Sequence, residues 1–268
     1  MCELFAMSSS LPTEVSFSLD EFSKHGGLTD HHKDGWGIAY FDDNDARIIK
    51  EACSASESAY LKFIKNISIL STNIISHIRF ATQGEVSVRN TQPFSRELGG
   101  NRHVFAHNGD FHNLEEKLDV NLERFKPIGN TDSELSFCYL MEIMATIWDR
   151  KKPPSLIKRF KIFTLFTHEM RQYGIANFIY SDSDFIFIHS HKRLVIKGGE
   201  ESSPGLYILQ RNCSIEAQNN KIDGLKVIAN ESQEVVLIAS VPLSNESWNV
   251  LKEGEIRVLQ NGKIINPL

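Results

Sequence analysis

The order of elements along the chain predicts an α+β fold, with two antiparallel sheets packed face to face and helices stacked against them. Three observations carry that prediction. Strand-like stretches recur from Cys2 to Ala106 and again from Ala176 onward. Between them lie two long helical stretches, Thr131 to Trp148 and Ser155 to Gln172, separated by Pro153-Pro154. Nothing in the 268 residues reads as a Pro/Gly/Ser-rich linker, an internal repeat or a low-complexity tract, so one domain spanning 1–268 is expected.

Cys2 to Ala6 is short and mixed apolar, bounded by Ser8-Ser9-Ser10, as a buried strand at the start of the chain would be. Ser18 to Lys24 carries Leu19 and Phe22, with Ser18 as N-cap and Gly26-Gly27 as a stop, which predicts a short helix. Asp34-Gly35-Trp36-Gly37 opens a strand from Ile38 to Phe41. The turn Asp42-Asp43-Asn44-Asp45 leads into a second, from Ala46 to Lys50. Tyr60, Leu61 and Ile64 give Ser56 to Lys65 helical spacing. Asn73 to Arg79 is a β-branched strand ending on the arginine, and Arg102 to Ala106 is a strand that delivers His107-Asn108-Gly109.

The helix opened by Thr131-Asp132-Ser133-Glu134 is apolar nearly all round (Leu135, Phe137, Cys138, Leu140, Met141), the mark of a helix buried between layers. The next, capped by Ser155, places Leu156, Ile157, Phe160 and Leu165 on its inner side and stops at Gly174. Strands follow at Ala176–Tyr180, Phe185–His189, Arg193–Ile196, Gly205–Gln210, Leu225–Ala229, Val235–Ser240 and Ile256–Leu259, with Gly198 to Gly205 reading as a long turn.

Composition narrows the function classes. A net charge of −5 and a pI near 6.1 argue against a nucleic-acid binder, whose domain is usually basic. The basic cluster Lys151, Lys152, Lys158, Arg159 and Lys161 reads as a solvated helix face. No apolar run approaches the length of a membrane span, and the first residues lack the basic n-region of a secretory signal. The four cysteines, at 2, 53, 138 and 213, show neither CxxC pairing nor zinc-ligand spacing. Free thiols in a reducing cytoplasm are the simplest account, with Cys53, Cys138 and Cys213 as small buried hydrophobes. His31-His32 and the pair His189 and His191 lack a carboxylate or thiolate at ligand spacing, so no metal and no cofactor is expected.

The chemistry starts at Cys2. With the initiator methionine removed, its thiol (pKa about 8.5) has its own α-amine (about 7.7–8.0) as the nearest base, so nucleophile and base are one residue. A glutamine side-chain amide, taken as a trial substrate, also needs donors for the oxyanion formed on attack. Its α-carboxylate and α-ammonium need separate partners. Asn108 (side-chain amide) and Gly109 (backbone N–H) offer two oxyanion donors from one turn. Arg79 offers a planar fork that matches a carboxylate. Asp132, in the first turn of a helix, is stabilised there as an anion and can hold an ammonium. Each also has a plainer account. Arg79 can pair with a glutamate at the strand end, and Asn-Gly is a good turn dipeptide. Asp132 can be a helix-start charge with Thr131 as the cap, and Trp36 can be core packing instead of a substrate contact.

The clusters MCELFAMS, HKDGWGIAYF, SHIRFAT, GEV, NTQPF, FAHNGDFHN and GNTDSE, in this order, resemble the class II (N-terminal nucleophile) glutamine amidotransferases, and their small stand-alone YafJ-like branch in particular. The motifs are dense to about residue 140 and thin beyond it. The resemblance implies a four-layer αββα sandwich of the N-terminal nucleophile hydrolase type. It implies Cys2 as the nucleophile exposed by methionine removal and Arg79 as the partner of the glutamine carboxylate. Asn108 and Gly109 fall at the oxyanion pair, and Asp132 at the aspartate that grips the substrate's amino group. The implied partner is a small molecule, glutamine or another γ-glutamyl amide, with a separate acceptor subunit wherever the ammonia is passed on. Larger synthase relatives carry Trp after the arginine and His-Gly soon after, where this chain has Phe80 and Gln83-Gly84. A hydrolase of a different γ-glutamyl amide, as in thiol metabolism, would read the same end of its substrate. From a different class, a non-catalytic module that kept the fold is the competing reading.

Overall fold

The computed structural model describes residues 2–13, 33–65, 67, 69–118, 121–149, 152–195, 200–213 and 232–267. The expected helix Ser18–Lys24 and strand Leu225–Ala229 lie outside them. The first strands are β1 (Glu3–Thr13), β2 (Trp36–Asp42), β3 (Asp45–Glu51), β4 (Ser71–Ile78), β5 (Phe94–Leu98) and β6 (Asn101–Asn108). The helices are α1 (Ala59–Lys65), α2 (Leu114–Lys117), α3 (Asp132–Ala145) and α4 (Leu156–Met170). After them come β7 (Asn177–Ser181), β8 (Ile186–His189), β9 (Arg193–Val195), β10 (Glu200–Ser202) and β11 (Tyr207–Cys213). β12 (Gln233–Ala239), β13 (Asn249–Val250), β14 (Ile256–Gln260) and β15 (Lys263–Ile265) complete the described strands.

Seven of the described strands form one sheet in the order β13-β11-β12-β1-β4-β2-β3, and six form the other, β15-β14-β8-β7-β6-β5. β9 and β10 pair separately, and all pairings are antiparallel. Because successive strand residues point to opposite faces, β1 contributes to two cores. Leu4 and Ala6 meet Val104, Ala106 and Ile179 between the sheets. Phe5 and Met7 point outward, where Leu61 and Ile64 of α1 close over them and their neighbours. On the far side, Phe105, Phe178, Tyr180 and Phe187 of the six-stranded sheet pack under Phe137, Phe163 and Phe166 of α3 and α4. The layers are therefore α, β, β and α, as in the predicted αββα sandwich.

Several expectations are corrected. α4 turns Arg159, Phe163, Phe166 and Met170 inward, while Ile157 and Leu165 are exposed. Arg159 is no solvated charge: its Nη1 donates to Asp182 and Asp184, each at 2.8 Å, and among the described residues of that basic cluster Lys152, Lys158 and Lys161 are exposed. α1 begins at Ala59, because Ser58 is the residue whose Oγ accepts from the Leu61 N–H, at 2.8 Å. β10 stands inside the stretch read as a turn, paired to β9. Cys53 is exposed, whereas Cys138 and Cys213 are buried.

Two features of this scaffold position the candidate site. The register Glu3↔Ile78 puts Cys2, just before β1, beside Arg79 and Phe80, just past β4. β6 ends on Asn108, and α3 begins at Asp132, whose carboxylate reaches back to the loop after β6.

Candidate active site

The Cys2 thiol lies 3.3 Å from the Phe80 N–H, from which it accepts, and 3.4 Å from the Phe80 carbonyl, to which it donates. Burial pushes the thiol pKa up, while the Phe80 hydrogen bond and the Arg79 charge pull it down and the Asp132 charge pushes it up. The structure thus brings Cys2 within electrostatic reach of both Arg79 and Asp132. Most of the Arg79 fork is engaged within its own loop: Nη1 donates to Glu85 O at 2.9 Å, and Nη2 to Gln83 O at 2.9 Å and Gly84 O at 3.2 Å. Among the described residues no carboxylate is ion-paired with it, so the strand-end glutamate does not account for this arginine. Burial lowers its pKa, against the raising charges of Cys2 and Asp34.

That loop is knitted to the motifs FAHNGDFHN, NTQPF and GNTDSE through residues to which the sequence assigned no role. Gln83 Nε2 donates to Asp110 Oδ1 at 2.7 Å and to Phe111 O at 3.0 Å. Asn90 donates through Nδ2 to Asn130 Oδ1 at 2.7 Å and to Glu85 O at 3.0 Å, and accepts from the Asn130 N–H at 3.0 Å. Gly84 sits at φ +72, and a Cβ there would come within 2.9 Å of both asparagine side chains. Gln83-Gly84 is therefore a built part of the site.

Asn108 is buried, with Nδ2 3.1 Å from Ser240 Oγ and Oδ1 without a partner among the described residues. Its carbonyl accepts from Asn177 Nδ2 at 2.9 Å. Gly109 is glycine because the backbone passes close by: a Cβ would lie 1.8 Å from Ile175 O. Its φ is not in the left-handed region, so the mirror-image hairpin turn favoured by Asn-Gly does not explain it. Before it, His107 has Nε2 2.9 Å from Ile175 O and Nδ1 2.9 Å from Ser133 Oγ. A carbonyl only accepts, so Nε2 carries the proton and Nδ1 accepts from the serine hydroxyl. Burial lowers the His107 pKa to about 4, which keeps the ring neutral. Gln92 clamps the His107 backbone from both sides, accepting from its N–H at 2.6 Å and donating to its carbonyl at 3.2 Å.

Asp132 accepts from the Phe111 N–H and from the Ser133 N–H, each at 2.7 Å. Burial raises its pKa and these hydrogen bonds pull it down. Thr131 is the helix cap, accepting from the Glu134 N–H at 3.2 Å. Asp132 borders a cavity of about 550 Å³ together with Gln83, Phe111, Asn130 and Leu135, while Cys2, Arg79, Asn108 and Gly109 are not among its lining residues. Trp36 belongs to the core outside the seven-stranded sheet, so packing accounts for it. Ser240, Ser133 and Gln92 escaped sequence reading. Only Gln92 and Ser133 sit inside a quoted motif; Ser240 carries no local signal.

Residues 1–267 match the family model described as class II glutamine amidotransferases. A Haemophilus influenzae protein, provisionally named a glutamine amidotransferase, is 36% identical over 99% of this chain and 86% of its own length. Escherichia coli YafJ, likewise provisionally named, is 31% identical over 98% of this chain and 99% of its own length. Among solved structures, a predicted glutamine amidotransferase of Pseudomonas aeruginosa PA01 superposes with a TM-score of 0.69 at 27% identity, covering 99% of this chain and all of that one. The glutamine phosphoribosylpyrophosphate amidotransferase of B. subtilis gives 0.61 at 14% identity over 98% of this chain and 48% of its own, a likeness of fold alone.

Proposed function

The chain belongs to the class II glutamine amidotransferases, and from that premise we propose that it is a cytoplasmic amidohydrolase whose Cys2 cleaves the γ-amide of glutamine. The observation that carries the reading is the junction of β1 and β4, where the Cys2 thiol rests on Phe80 beside Arg79 with the Asp132 charge in reach. Because burial holds the thiol protonated, attack needs a base at hand, and the α-amine of a trimmed Cys2 is that base. Sγ attacks Cδ as the amine takes its proton. Asn108 Nδ2 and the Gly109 N–H donate to the oxyanion, and the ammonium returns the proton to the leaving nitrogen as ammonia departs. Water, deprotonated by the same amine, then cleaves the γ-glutamyl thioester to glutamate and restores the thiol. Arg79 meets the substrate carboxylate and Asp132 its ammonium, with residues 1–268 acting as one domain.

A second reading is hydrolysis of a γ-glutamyl amide with a larger leaving amine, since Arg79 and Asp132 would read only the γ-glutamyl end that such a substrate shares with glutamine. Turnover of glutamine and of such amides, measured side by side, decides between them. An ammonia-accepting subunit belongs to the first reading only.

The test of catalysis is intact mass and peptide mapping before and after treatment with 6-diazo-5-oxo-norleucine. We expect a mass lacking the initiator methionine and one adduct, on Cys2, that Cys2→Ser abolishes together with turnover. Retained methionine with no adduct would overturn the catalytic reading and leave the non-catalytic module in its place.

A further inference from the structure

We infer that Ser240 is a positioning residue: its hydroxyl sets the side-chain amide of Asn108 so that the NH2 group, and not the carbonyl oxygen, faces the developing oxyanion. This rests on the reading of Asn108 as an oxyanion donor and goes beyond it by identifying what orients the amide.

Ser240 lies just past β12 and is tied to β1 through both backbone and side chain. Its N–H donates to Leu4 O at 3.0 Å, and its Oγ accepts from the Leu4 N–H at 3.0 Å. Its carbonyl accepts from Arg193 Nη1, whose Nη2 lies 3.8 Å from Glu3. The same Oγ stands 3.1 Å from the end of the Asn108 amide. One buried hydroxyl therefore joins the strand that begins at the nucleophile to the residue that ends β6 in the opposite sheet.

A carboxamide presents nearly the same shape when its oxygen and nitrogen are exchanged, so the hydrogen-bond network decides which way it faces. With Nδ2 on Ser240, the hydroxyl accepts twice and its own proton finds no acceptor among the described residues. Oδ1 is then buried without a partner among the described residues. With the amide turned over, Ser240 accepts from Leu4 and donates to Oδ1, so the hydroxyl and the carbonyl oxygen are both satisfied. The unpartnered place now holds an NH2 group, a donor that costs free energy until negative charge appears beside it. That is the property of a preorganised oxyanion donor. The Leu4 N–H matters here because it fills the acceptor side of Ser240 and leaves donation as the role facing Asn108.

The experiment measures glutamine turnover on the methionine-processed full chain. The wild type comes first, since absence of both turnover and a Cys2 adduct sinks the glutaminase reading itself. Given an active wild type, Ser240→Ala should lower kcat by about 10²-fold, the scale of losing one oxyanion donor, with KM within about twofold. Ser240→Thr, which keeps the hydroxyl, should restore kcat to within several-fold of wild type. On an Asn108→Ala background, Ser240→Ala should cost nothing further, because the amide it orients is gone. The inference is overturned by a Ser240→Ala enzyme with kcat near wild type, by a loss that adds in full to that of Asn108→Ala, or by failure of the threonine to rescue. If Ser240→Ala does not fold, Ser240→Cys, close in shape but only a weak donor, takes its place with the same expectations.

Discussion

At Gly109 the demand for glycine comes from Ile175, whose carbonyl oxygen would sit 1.8 Å from an added methyl group. Gly109→Ala should therefore push the turn off Ile175 and break the His107–Ile175 hydrogen bond beside it, at a cost of about 3 kcal/mol or more, within the range of overpacking plus a lost buried bond. Urea unfolding reads the stability and glutamine turnover reads the displaced N–H; a variant as stable and active as wild type would refute the close-approach account. The five candidate residues were legible because the trial chemistry asks for particular groups, and Asn108, Gly109, Arg79, Asp132 and Cys2 stand in motifs that supply them. Ser240 was not, since its partner Asn108 is 132 positions away and serine is common. Arg79 was legible as a fork for an anion, but its engagement with Gln83, Gly84 and Glu85 depends on a loop fold that spacing does not reveal.

α3 starts on a sequence that fits a capping box, Thr131 to Glu134, yet only half of the box forms. Thr131 caps the Glu134 N–H, while the Glu134 carboxylate turns to the Gly129 N–H and to Arg96, each at 2.7 Å. The two residues should therefore respond differently. Thr131→Ala should cost about 1 kcal/mol, the usual value of a cap. Glu134→Ala should cost about 3 kcal/mol, because it strands a partly buried guanidinium. It should also raise KM by freeing the Gly129–Thr131 turn that lines the cavity. Equal costs from thermal unfolding of the pair, with KM unmoved, would refute that division of labour. Helices and most strands were legible from periodicity, but the inner face of α4 was not. Sorting by hydrophobicity sends Arg159 out and Leu165 in, whereas Asp182, far along the chain, draws the arginine inside. β5 was missed because Ser95-Arg96-Glu97 reads as polar loop; pairing with β6 makes it a strand.

For the molecule as a whole, buried titratable groups set the response to acid. Burial lowers the pKa of His103 to about 3, of His107 to about 4 and of His189 to about 3, so the folded protein keeps all three neutral at pH values where the unfolded chain protonates them. Stability from these groups is present above their unfolded pKa of about 6.5 and is lost as pH falls. Asp182, raised to about 6 by burial despite Arg159, acts in the opposite sense. The three protons taken up on unfolding outweigh those released by Asp182 and by Asp132, whose pKa burial also raises, so stability falls as pH drops below about 6.5. Denaturant midpoints measured from pH 7.5 down to 5 should fall accordingly, and a flat profile would refute it. The two-sheet architecture was legible from the strand–helix–strand order, and the four layers from the family resemblance. The double burial of β1 was not, because an unbroken apolar run does not say what covers each side.

The pairing of β1 has a consequence for how the protein is made. β1 lies far ahead of one of its two neighbours, β12, and Ser240 closes on Leu4 across 236 positions. The edge of β1 that faces β12 therefore stays open during synthesis until β12 has emerged, and such long-range closure is slow. Since Cys2 is buried once the strand is flanked, the trimming of the initiator methionine that we propose would fall in that waiting period, and a chain cut short before β12 would be left with an exposed sheet edge.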